Sequence, residues 1–129
     1  MRAEELKGHL DAVLLAALEG GPRHGYAVIE ALRQSTDGRL DLPTGTIYPA
    51  LRRLEQAGLI AGTWSVVGGR RRREYRLTPA GIRALSGRRA AWQDFSATVT
   101  AALESATRVN TALENAALED TACPSPNPA

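Results

Sequence analysis

Four consecutive arginines, Arg70, Arg71, Arg72 and Arg73, crowd permanent positive charges that repel one another unless solvent or a polyanion screens them. A phosphate backbone is the screen such a run fits. Upstream, LPTGTIYPALRRLEQAGLI over 42–60 carries the complementary half of that chemistry. Ile47, Leu51 and Leu54 recur at a four-three spacing, which stacks them on one face of a helix for burial. Thr44, Thr46, Tyr48 and Arg52 lie off that stripe, with Gly45 between the threonines, and are types that hydrogen-bond phosphates or base edges. The two segments together imply a recognition helix followed by a basic β-hairpin.

Each of these residues also has a plainer reading. Tyr48 suits the edge of an apolar core with its hydroxyl at the surface. Arg53 is the weaker candidate of the Arg52-Arg53 pair, because Glu55 or Asp94 could hold it on the surface. Arg76 falls within a strand and could be structural, and the arginine run could be a solvated hairpin tip. Catalysis finds no support: His9 and His24 stand isolated, Cys123 lies in the tail, and no nucleophile, base and orienting acid form a motif. Neither GTG nor GG is a phosphate-binding loop, since the Lys-Ser/Thr signature is missing. The expectation is no catalytic residue, no metal site and no cofactor.

The elements that must position these residues follow from pattern and punctuation. Leu10, Val13, Leu14, Ala17 and Leu18 form a helical stripe that stops at Gly20-Gly21-Pro22. A second helix is expected from Gly25 to Gln34, with Tyr26, Ile29 and Leu32 inward. The recognition helix should begin near Thr46, with Thr44 or Thr46 as cap, because Pro49 is tolerable only close to a helix start. Gly58 offers a left-handed C-terminal cap. Leu59 to Val67 reads as a strand, Gly68-Gly69 as a turn, and Arg72 to Thr78 as the return strand, with the basic residues at the tip.

Thr78-Pro79 opens a further helix that should reach about Leu118. Leu85, Trp92, Val99, Ala106 and Leu113 recur every seven residues, and from Trp92 onward Phe95, Ala102, Val109 and Ala116 lie three further on. Such a seam extends past a small core and implies pairing with a second copy, with Leu103 beside it. Ser86-Gly87 weakens the helix locally. Trp92 and Phe95 serve either this dimer core or, as candidates, a ligand platform.

Three segments in order, HGYAVIEAL, GTIYPALRRLEQAGLI and RRREYRLTPAG, resemble the PadR-like transcriptional regulators, over about residues 10 to 103. The resemblance implies a homodimeric winged helix-turn-helix factor, usually a repressor, bound to double-stranded operator DNA and responsive to a small molecule. It assigns the recognition segment to Thr44, Gly45, Thr46, Tyr48 and Arg52, and the wing to Gly69 through Arg73. Its C-terminal dimerisation helix falls on Trp92, Phe95, Val99 and Leu103. In some members aromatic residues of this helix flank a cavity between subunits that accepts flat, apolar ligands, which makes Trp92 and Phe95 the ligand candidates.

Composition agrees. The 129 residues suit a mainly α fold with a small β-hairpin (α+β), divided into a winged helix-turn-helix over 1–78, a dimerisation helix over 79–118 and a disordered tail over 119–129. The net charge of +2 conceals a polarity: residues 45–92 carry ten Lys/Arg against two Asp/Glu, while the flanking segments sum to −2 and −4. DNA would sit against the basic third. One cysteine excludes an intramolecular disulfide. No apolar run approaches the roughly 20 residues that span a bilayer, so no membrane partner and a cytoplasmic location are expected. The rival classes are a winged-helix protein-interaction module and a ligand carrier without specific DNA binding.

Overall fold

The computed structural model describes residue 6 and residues 8–122, including side chains except those of residues 106–112 and 117–122. The elements run α1 (Leu10–Ala17), β1 (Arg23–His24), α2 (Gly25–Ser35), α3 (Thr44–Gln56), β2 (Ile60–Val67), β3 (Arg70–Leu77) and α4 (Pro79–Ala122). This is a mainly helical fold with a three-stranded antiparallel sheet in the order β1-β3-β2 and a long C-terminal helix. The chain divides into two units, Met1–Arg89 and Ala90–Ala129, with α4 belonging to both.

The core of the first unit gathers the apolar stripes of α1, α2 and α3. Leu14, Leu15, Ile47 and Leu51 are wholly excluded from solvent, the largest favourable contribution available to a domain of this size. In α2, Ile29 and Leu32 are buried as expected and Tyr26 is not. Gly25, Val28, Ile29 and Leu32 face inward, which rotates Tyr26 about 100° away from Gly25. Tyr26 is 56% exposed, not a core residue.

α3 starts two residues earlier than expected, at Thr44, and neither threonine caps it. Pro43 is the N-cap, and its carbonyl accepts the N–H groups of Thr46 and Ile47 at 3.0 and 3.1 Å. Pro49 is thereby the sixth helical residue. Its missing N–H leaves the carbonyl of Gly45 without the usual partner, and Gly45 is exposed, so water can take that place. Gly58, at φ +78°, closes the helix as expected, with its N–H on the Glu55 carbonyl.

The hairpin is tighter than the expectation. Gly68 and Gly69 both have positive φ and alone make the turn, as a two-residue connection requires. Val67 therefore already pairs with Arg70, Val66 with Arg71, Ser65 with Arg72 and Trp64 with Arg73. The four arginines are strand residues alternating between two faces, not a cluster at the tip. β1 adds a third strand, with Arg23 opposite Tyr75 and His24 opposite Glu74; two residues are too short to show alternation in a sequence.

Thr78 and Gly81 dock the start of α4 on the hairpin base. The Thr78 hydroxyl accepts from Gly81 N–H at 3.0 Å and donates to the Gly58 carbonyl at 2.7 Å. Leu85 is 2% exposed and belongs to the core of its own unit. That corrects its expected place in an interface between copies, because its own chain already covers it. The helix continues to Ala122, beyond residue 118 where the pattern ended it. In the second unit Trp92, Phe95, Val99, Leu103 and Leu113 are exposed, and Ala102 with them. The Trp92 and Phe95 rings lie 6.0 Å apart at 35°. Ala106 and Val109 lie outside the residues whose side chains are described. No described helix is long and apolar enough to cross a membrane.

Candidate nucleic-acid interface

Burial of Ile47, Ala50, Leu51 and Leu54 turns the opposite face of α3 outward. Thr44, Gly45, Tyr48 and Arg52 are exposed there, and Thr46 is half-buried. Tyr48 is 43% exposed, so the edge-of-core reading does not describe it. Its ring instead lies over Gly25, where a Cβ would come 2.8 Å from Tyr48 Cζ and 2.9 Å from the hydroxyl. The first residue of α2 is thus a glycine that makes room for a side chain of α3.

An open cleft of about 640 Å³ runs between the start of α2, the outer face of α3 and β3. It brings together Tyr48, Arg52, Arg71, Arg72 and Arg73 of the expected site. Thr44, Gly45, Thr46, Gly69 and Arg70 lie outside this cleft. Six further residues line it that the sequence did not single out as site residues: His24, Gly25, Tyr26, Glu55, Trp64 and Tyr75. The alternation of β2 against the arginine strand was the available signal for Trp64, since it places that ring on the same face as Arg71 and Arg73. For His24 and Tyr26 the signal was only the closeness of HGY to a helix start.

The arginines occupy distinct surroundings. Arg73 donates to Glu55 of α3 in a close ion pair, and that bond raises its pKa further above the ordinary guanidinium value. Arg71 and Arg73 both stack on Trp64, 4.7 and 5.3 Å from the ring centroid. On the other face of β3, Arg72 Nη1 lies 3.0 Å from His24 Nε2. His24 also caps α2, its Nδ1 accepting from Ala27 N–H at 3.2 Å. Tyr75 also lines the cleft, and burial pushes its hydroxyl up from its ordinary pKa, with Glu55 adding to the shift, so it stays protonated at neutral pH. Arg53 pairs with Asp11 at 2.6 Å, rather than with Glu55 or Asp94, and is removed from the cleft.

Comparison with known proteins decides the family. The profile of the transcriptional regulator PadR-like family matches residues 14–87. The chain belongs to that family. Among curated proteins it is similar to transcriptional regulator Rv3488 of Mycobacterium tuberculosis, with 42% identity over 74 residues, 57% of this chain and 56% of that one. The match thus spans little more than half of that relative's length. Among solved structures it is similar to a PadR family transcriptional regulator from Eggerthella lenta (34% identity, TM-score 0.68, 78% of this chain and 87% of that one). It is also similar to a transcriptional regulator from Clostridium thermocellum (28% identity, TM-score 0.70, 76% and 96%). The winged helix-turn-helix fold and the DNA-binding, transcription-regulating character of the family follow from these matches. Its members are regulators rather than enzymes.

Proposed function

We propose that this PadR-family regulator is a homodimeric repressor that binds a pseudo-palindromic operator through α3 and the hairpin. The observation that carries this reading is the shared cleft: Tyr48 and Arg52 of the outward face of α3 stand beside Arg71 and Arg72 of the wing. A helix of 13 residues suits a major groove, and cations on the adjoining strand suit the flanking phosphates or the minor groove. Thr44, Gly45, Thr46, Tyr48 and Arg52 read the bases or seat the helix; Gly69, Arg70, Arg71 and Arg72 hold the backbone.

Two copies pair through the exposed seam of α4, formed by Trp92, Phe95, Val99, Ala102, Leu103 and Leu113. A 44-residue helix that exposes large apolar side chains from Trp92 to Leu113 suits such pairing. The pairing sets two recognition helices about one turn of DNA apart, roughly 34 Å. A planar apolar effector bound near Trp92 and Phe95 would change that spacing and release the operator, provided it binds the two states unequally.

The test is titration of the purified protein onto the DNA upstream of its own gene, over a range of salt, with nonspecific competitor. Saturable, competitor-resistant binding with a steep salt dependence supports the reading. No binding even at low salt would contradict it and favour a protein-interaction module.

A further inference from the structure

The four wing arginines are not equivalent, and the geometry around one of them is built. One face of the hairpin carries Gly62 and Trp64 on β2 opposite Tyr75 and Arg73 on β3, with Arg71 next along the same face. Tyr75 at its base is buried against the core, and Arg73 above it meets Glu55 of α3. Gly62 provides the space for that meeting. A Cβ at Gly62 would lie 2.7 Å from Arg73 Nε and 2.9 Å from Glu55 Oε2, closer than packed atoms tolerate. On its other side Arg73 rests on Trp64, which also carries Arg71. Trp64 is 58% exposed, so burial does not explain a tryptophan at this position.

Resting on the reading that the wing contacts DNA, we propose that Arg73 and Trp64 are positioning residues: Arg73, held by Glu55, ties the wing to the recognition helix, and Trp64 aims Arg71 at the phosphate. Arg73 has its carboxylate within its own chain and its charge is largely spent there. Arg70 and Arg71 make no ion pair among the described residues, so their charge is available to a polyanion. A guanidinium stacked on an indole keeps its N–H edge open for in-plane hydrogen bonds while the ring restricts its rotamers, which lowers the entropy lost on binding. The wing therefore divides into a strut and a presented cation, and its angle to α3 is set by an ion pair between the two.

The experiment measures binding of single variants to mixed-sequence duplex DNA across a range of salt, with thermal unfolding followed in parallel. Arg71→Gln should lower the log-log salt slope by about 0.9, one phosphate contact. Arg73→Gln should leave the slope unchanged and weaken binding about two- to fivefold at every salt, as loss of the half-buried ion pair to Glu55 that ties the wing to α3 implies. Trp64→Leu should weaken binding by a similar factor, Trp64→Phe should restore most of it, and Trp64→Leu should add nothing once Arg71 and Arg73 are both Gln. A slope lost in Arg73→Gln as in Arg71→Gln would overturn the strut, and an undiminished Trp64→Leu effect in that double variant would overturn the aiming role. Slopes unchanged in both Arg70→Gln and Arg71→Gln would instead bring down the wing reading itself.

Discussion

The Tyr48 ring occupies the space that a side chain at Gly25 would need, with Cζ 2.8 Å from the position of a Cβ there. α2 and α3 are thus fitted to each other through one glycine and one exposed tyrosine. Gly25→Ala should displace Tyr48, which has solvent on its other side, rather than the backbone. Stability should change by no more than about 1 kcal/mol, the intrinsic helix preference of Ala over Gly partly offsetting the contact. DNA affinity should fall. Chemical denaturation beside a DNA titration checks both, and retained affinity would remove Tyr48 from the interface.

Leu85 and Trp92 are one heptad apart and serve different units. Leu85→Ala should cost about 2–5 kcal/mol, because a core leucine leaves both a transfer loss and a cavity. Trp92→Ala should leave the unfolding of the first unit unchanged and weaken self-association, read by sedimentation. A Trp92→Ala protein that associates like wild type would contradict the proposed seam.

The contrast between these two residues marks what a linear pattern conveys. The seven-residue period was legible from Leu85 to Leu113, yet period alone does not say which chain covers a position; Leu85 is claimed by its own core because Thr78 and Gly81 seat the start of α4 against the hairpin. The inward stripe of α3 was legible because Ile47, Leu51 and Leu54 leave only one phase open. In α2, Ile29 and Leu32 were legible as inward, but Tyr26 was not legible as exposed, because Gly25 and Val28 rather than Tyr26 complete the buried face. The arginines were legible as charge, but their division into two faces depends on a turn of two residues rather than four. Glu55 and Trp64, distant in sequence from Arg73, entered the site only through strand register and helix packing.

Arg89 donates to both carboxylate oxygens of Glu19, at 2.7 and 2.9 Å. That hydrogen bond, ahead of the charge itself, holds the Glu19 pKa below the ordinary carboxylate value. A depressed folded-state pKa adds stability that is present above the unfolded value and lost as pH falls through the folded one. Both groups are exposed, so the contribution is small and salt-sensitive. Arg89→Gln should raise the Glu19 titration midpoint measured by NMR, and the stability difference from wild type should vanish at acid pH. A midpoint unmoved by the substitution would contradict the pairing.

Gly81 would place a Cβ against the Leu59 carbonyl, a backbone atom that cannot swing aside. Gly81→Ala should therefore destabilise by about 1–3 kcal/mol, where helix preference alone would make alanine stabilising. Thr78→Ala, which removes the cap on Gly81 N–H, should cost about 1 kcal/mol. Denaturation midpoints decide, and a stabilised Gly81→Ala protein would show that α4 does not start hard against the hairpin base.

The most direct test of the central claim, that α3 and the wing meet DNA, is an amide chemical-shift map of the protein titrated with duplex DNA at low salt. The account predicts perturbations concentrated on residues 44–52 and 69–72, with Tyr26 and Trp64 following. Shifts confined to the exposed seam of α4, or none at all, would contradict it.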